Sequence, residues 1–217
     1  LTTETSLNVT VNGLASLSAS TTDHQLQATT FYVHTTSKES QIDTGRDFNA
    51  QGSTGLVWDE STGWYERELA MFQLTGEHAF GDLELRWRGA TAQATRDAPY
   101  QRSLRRFIDA NGDIRYSVAN NYSIAFSELV DDITSFGGEA IYTFDWSDGR
   151  QVELMVGGDR STTDRSYNFT ALRFAGGNSL PDDVQRARPD FLFSPDNIDP
   201  NRFVLQEITT PNDSYSA

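Results

Sequence analysis

Strict alternation of apolar and polar residues on either side of a two-residue turn is the feature that most restricts how this chain can fold. From Phe72 to Phe80 the even positions read Phe72, Leu74, Gly76, His78 and Phe80, and the odd positions Gln73, Thr75, Glu77 and Ala79. After Gly81-Asp82 the pattern restarts, with Leu83, Leu85, Trp87 and Gly89 against Glu84, Arg86, Arg88 and Ala90. A period of two that resets at a Gly-Asp pair specifies a β-hairpin with one apolar and one polar face. The unit recurs from Phe136 to Trp146 and from Val152 to Val156, around Ser147-Asp148-Gly149-Arg150, where Asp148-Gly149 predicts a type I′ turn. A weaker copy runs through Leu7, Val9 and Val11, turns near Thr21-Thr22-Asp23 and returns from Leu26 to Val33.

Composition narrows the class of partner. With 31 acidic and 17 basic residues among 217, the formal net charge is -14, which repels nucleic acid. Cysteine is absent, so no disulfide framework, thiolate metal site or cysteine nucleophile is available. No run of about eighteen apolar residues occurs, which argues against a transmembrane helix and leaves a transmembrane strand open.

The connections alternate in length. Residues 37 to 62, 97 to 132 and 171 to the end are polar, Gly- or Pro-containing stretches, whereas the hairpin turns are short. Short turns on one side and long loops on the other predict an all-β, antiparallel transmembrane β-barrel wall of six or seven strands. Phe80, Phe144 and Trp146 beside the short turns suit an interfacial girdle, and Phe80 back to Ala70 is the length a tilted strand needs to cross the hydrocarbon. A soluble antiparallel sandwich is the alternative that alternation alone allows.

The stretches Gly63-Trp64-Tyr65-Glu66-Arg67-Glu68, Gln73 to Gly81, Trp87-Arg88-Gly89-Ala90 to Arg96-Asp97-Ala98-Pro99, and Gly137-Gly138-Glu139-Ala140 leading into Asp145-Trp146 resemble consecutive strands of a TonB-dependent outer-membrane receptor. The resemblance implies that residues 1-217 are an internal part of the barrel domain, without the plug domain and the closing strands. It implies a place in the outer membrane of a Gram-negative bacterium and import of a small-molecule ligand such as a ferric siderophore or an oligosaccharide. The implied partners are outer-membrane lipid and, through a missing N-terminal region, the TonB system. The alternative function is a soluble bacterial adhesin or carbohydrate-binding β-sandwich domain.

Chemistry-bearing motifs are sparse. His24, His34 and His78 have no metal-ligand spacing, and no nucleophile elbow, P-loop or dinucleotide fingerprint occurs, so no enzyme, metal or cofactor is expected. Asp109-Ala110-Asn111-Gly112-Asp113 has the alternate oxygens of a calcium loop but no distal Glu, and reads as a tight turn. Glu84, Arg86, Arg88, Glu139, Asp145 and Glu153 are expected to pair across the polar strand faces. The basic run containing Arg102, Arg105 and Arg106 is a candidate for an anionic ligand or for a loop salt-bridge network. The Pro-, Asp- and Phe-rich segment after Leu180 is expected to be an ordered lid, with Phe191, Phe193 and Arg202 as candidate ligand contacts.

Overall fold

The computed structural model describes residues 1–47, 54–116, 122–177, 180–210 and 213–216. They form one antiparallel sheet that does not close on itself. In chain order the strands are β1 (Thr2–Ser20), β2 (His24–Arg46), β3 (Leu56–Phe80), β4 (Leu83–Ile108), β5 (Ile114–Tyr116), β6 (Tyr122–Asp145), β7 (Gln151–Gly176), β8 (Phe203–Glu207) and β9 (Tyr215–Ser216). The long strands lie side by side as β1-β2-β3-β4-β6-β7, with β5 added to β4 and with β8 and β9 added to β7.

The sheet is all-β and antiparallel, as alternation predicts, but it has nine strands, six of them long. Residues 37–46, 56–62, 97–108 and 122–132, which composition assigns to loops, continue the strands. Their polar residues occupy both faces and erase the amphipathic signal, while the backbone ladder persists.

The three short turns share one edge of the sheet. Phe80 and Leu83 are paired, leaving Gly81-Asp82 as the turn with Gly81 at φ 63°. Thr21 N–H donates to the His24 carbonyl at 2.8 Å across the first hairpin. At the third, Ser147–Gly149 form one 3-10 turn with Gly149 at φ 72°, in place of the expected two-residue I′ turn. The closing pair is therefore Trp146 and Arg150, one step out from Ser147 and Gly149.

One irregularity divides β4. Glu66 pairs with Asp97 and Trp64 with Tyr100, so β4 carries one more residue here than β3, and the same extra residue appears against β6 between Ala98 and Gln101. This is a β-bulge at Ala98-Pro99; Pro99 has no N–H to give the ladder and is tolerated there. Past the bulge the parity of β4 reverses, so Arg102, Leu104 and Arg106 share a face with Leu83, Leu85 and Trp87.

The packed core lies at the edge opposite the short turns. Leu104, Tyr116, Tyr122 and Phe174 form its floor on the sheet, and Leu180, Val184, Leu192 and Phe203 cover them. The cover is built from two single-turn helices, α1 (Asp182–Gln185) and α2 (Pro189–Leu192), followed by the strand pairing of β8 with β7. Phe203 and Leu192 are fully buried. Phe193 stacks on Tyr122 with ring centroids 4.0 Å apart, and Phe203 meets Tyr116 edge-on at 5.2 Å.

Candidate functional site: an oblique apolar belt backed by a charged face

Register places the apolar alternation of β4, β6 and β7, and of the turn-side parts of β1, β2 and β3, on one face, whereas Phe31, Val33, Leu69 and Met71 pair on the other. Leu83, Tyr142 and Leu154 stand in one cross-strand row with Phe80, followed by His78, Leu85, Ala140 and Val156, then by Gly76, Trp87, Gly138 and Gly158, and then by Leu74, Gly89 and Phe136. Leu17, Leu26, Leu74, Phe136, Tyr142, Leu154 and Val156 are exposed, and no second sheet covers them among the described residues.

The belt crosses the sheet obliquely. On β1 it continues up to Leu7, on β3 to Ala70 before Glu68, on β6 to Phe136 before Asp132, and on β7 only to Val156 before Arg160. Followed through the register, this upper limit descends steadily from β1 to β7. The turn edge descends with it: the first turn lies level with His78, the second follows Phe80, and β6 runs past Leu83's partner Tyr142 to Asp145.

Rings border the belt on the turn side. His24 and His78 are direct cross-strand partners with ring centroids 5.3 Å apart, and the Trp87 indole N–H donates to His78 Nε2 at 3.1 Å. Trp87 lies across Gly76, where a Cβ would come within 2.4 Å of the indole. Tyr142, Phe144 and Trp146 continue the ring contacts at 5.9 and 6.1 Å. On the other border, Tyr32 O–H donates to Glu68 Oε2 at 3.0 Å, and His34 Nδ1 lies 3.4 Å from the same oxygen.

The opposite face carries the charged residues of β4, β6 and β7, and several of them pair as expected. Arg86 joins Glu84 at 2.6 Å and Glu139 at 3.4 Å, and Arg88 joins Asp159 across Gly137. Together they border an open groove of about 320 Å³ whose floor includes Gly137 and Gly157.

The candidate ligand residues are placed apart. Arg102, Arg105 and Arg106 lie in strand β4, not in a loop, and alternate between faces. Arg105 grips Asp59 through two hydrogen bonds of 2.6 and 2.7 Å and reaches Asp47 at 2.9 Å. Arg106 is buried, pairs with Glu60 and donates to the Ala187 carbonyl at 3.4 Å, tying the cover to the sheet. Arg102 donates to Thr62 Oγ1 at 3.4 Å and lies over Tyr100. Arg202 donates to Asn197 Oδ1 at 2.6 Å and to the Asp196 carbonyl at 3.2 Å, organising its own loop. Phe193 belongs to the core, whereas Phe191 is exposed. The segment expected to be a lid is ordered, but its floor residues Tyr122 and Phe174 have the parity of Tyr142 and Leu154, so it covers the belt side of the sheet.

Asp109 closes a tight turn: its Oδ1 accepts from the Asn111 and Asp113 amides at 2.9 and 3.0 Å, and those bonds hold its carboxyl below the ordinary range. Among the described residues, no group of three metal-ligating side chains converges.

The sequence reading missed a convergence on the polar face. Arg67 and Arg96 are direct cross-strand partners, and their guanidinium carbons lie 5.9 and 5.8 Å from the ring centre of Tyr65. Only the register of β3 on β4 reveals it.

No protein-family model matches the sequence, and a search of curated proteins finds no significant match.

Proposed function

We propose that the chain forms part of the wall of an outer-membrane β-barrel of the TonB-dependent receptor kind, importing a siderophore, an oligosaccharide or a similar nutrient complex. The observation that carries the barrel reading is the obliquity of the belt. Strands that close into a barrel tilt about 35–45° from its axis, so a band level with the bilayer must cross the register at an angle. The belt and the turn edge descend together, as one membrane-parallel band would.

Height agrees. Phe80 to Ala70 on β3 rises about 33 Å along the strand, which tilt reduces to about 25 Å. The ionic ladder of Arg86, Glu84 and Glu139 then faces the lumen, where charges cost little. A soluble sandwich would need a second sheet on the belt, and the described residues form one sheet. The receptor reading draws on the sequence resemblance and on strands that run far beyond the belt, as β4 does from Leu83 to Ile108.

The test is spin labelling of single-cysteine variants of the intact protein in bilayers. Labels at Leu74 and Phe136 should be accessible to oxygen and shielded from a nickel chelate, and labels at Gln73 and Ser135 should show the reverse. Equal chelate access on both faces would reject the membrane reading. Uptake of ferric siderophores and oligosaccharides by a deletion strain, with and without the energising system, tests the receptor reading separately.

A further inference from the structure

We infer that Arg67, Arg96 and Tyr65 form a binding site for an oxyanion, a carboxylate or phosphate group, on the polar face of the sheet. Two arginines directly opposite one another in an antiparallel pair repel, and no carboxylate among the described residues answers them here. Neither guanidinium makes a hydrogen bond or ion pair among the described residues, although acidic residues outnumber basic ones by 31 to 17. Elsewhere on this face the arginines are answered: Arg86 by Glu84 and Glu139, Arg88 by Asp159, Arg105 by Asp59, and Arg165 by Asp131 one row below.

The backbone fixes the third member. Tyr65 stands opposite the bulge at Ala98-Pro99, and its ring leans over Gly63, where a Cβ would lie 2.6 Å from Cε2. Bulges re-aim side chains and recur beside binding sites. With the ring held, both guanidiniums approach it within cation–π distance, a contact that leaves their N–H groups for another acceptor. An oxyanion is the group that accepts from two such forks at once.

Beside Tyr65 a groove of about 280 Å³ is lined by Gln101, Ser103 and Ser123, neutral donors and acceptors for the body that carries the anion. Its carboxylates, Glu4 and Glu39, lie on the β1 and β2 side, and Glu39 accepts from Ser37 at 2.9 Å. The inference stands on the sheet geometry, so the lipid-exposure test does not decide it.

The experiment uses the intact protein in detergent micelles. Phenylglyoxal modification, mapped by mass spectrometry, should reach Arg67 and Arg96 in the wild-type protein. Inorganic phosphate or citrate should slow both about tenfold while leaving Arg150 unchanged. In equilibrium dialysis with labelled phosphate and citrate, the double variant Arg67→Gln/Arg96→Gln should bind at least about tenfold more weakly, and Arg150→Gln should bind normally. Which probe binds tighter separates a phosphate from a carboxylate ligand. Absence of protection, or equal protection at Arg150, would overturn the proposal. So would arginines that are unreactive without any added anion and a protein that binds neither probe, since the site would then be filled by a carboxylate of the protein itself. The wild-type arm does not depend on the variants folding.

Discussion

Arg165 holds Asp131 across directly paired positions of β6 and β7, with Nε on Oδ1 at 2.5 Å and Nη2 on Oδ2 at 2.6 Å. The pair lies on the polar face one row beyond Ala70 and the end of the belt on β3, where, among the described residues, β7 has no long partner on its outer side. Planar fork-to-carboxylate geometry makes it the most specific ionic link between these strands. A double-mutant cycle of Asp131→Ala and Arg165→Ala, read by denaturant unfolding, should return a favourable coupling kept small by the part-exposed setting. Zero coupling would mean that solvent competes fully for both groups.

A charge scan separates the two faces. Leu74→Arg and Leu154→Arg should each lower stability in bilayers by about 2–4 kcal/mol. Gln73→Arg, on the opposite face and paired with Ala90 and Thr29, should cost less than about 1 kcal/mol by the same measure. Unfolding titrations in liposomes give both numbers, and equal costs would contradict a lipid-facing belt.

Gly76 and Trp87 test the packing of the girdle. A methyl at position 76 would come within 2.4 Å of the indole, so Gly76→Ala must move Trp87 and break its bond to His78. We expect a loss of about 1–3 kcal/mol and a changed near-ultraviolet circular dichroism spectrum. Trp87→Phe should relieve the steric cost of Gly76→Ala in the combined variant.

The cover segment should behave as a docked unit with an alkaline limit. Burial pushes the Tyr116 hydroxyl up to about 12, well above its ordinary value of 10.0. A group that is kept neutral in the folded state contributes its stability fully below pH 10.0 and loses it as pH rises through about 12. The absorbance difference at 295 nm between wild type and Tyr116→Phe should therefore titrate near pH 12. Phe203→Ala removes a fully buried ring, should cost about 3–5 kcal/mol and should open the Arg186-Ala187 bond to trypsin. Deleting residues 181 to 206 would take away Phe203 and most of β8, baring Tyr116, Tyr122 and Phe174, so it tests the cover as structure as well as any ligand contact.

The hairpins around Gly81-Asp82 and Asp148-Gly149 were legible because one face there is apolar and alternation survives. The upper halves of β2, β3 and β4 were not, because Thr44, Asp59 and Ser61 are polar neighbours whose strand state comes from the ladder alone. Arg102, Arg105 and Arg106 read as one basic cluster in sequence, but strand pleating sends Arg105 to the other face and gives each arginine a different partner. Arg67 and Arg96 are far apart in sequence and meet only through register, which no single strand encodes.

The bulge at Ala98-Pro99 acts as a phase shift. Strand β4 is written in two frames: odd positions face the belt up to Asp97, and even positions do so from Arg102 onward. A hydrophobic pattern summed over the whole strand in one frame cancels itself, which hides the length of β4 from any reading by period. Removing Pro99 would merge the frames. Leu104 would leave the floor of the covered core, Arg106 would turn from Glu60, and Arg105 would be carried off Asp59. A single inserted residue thus decides which side of the wall the upper part of β4 addresses.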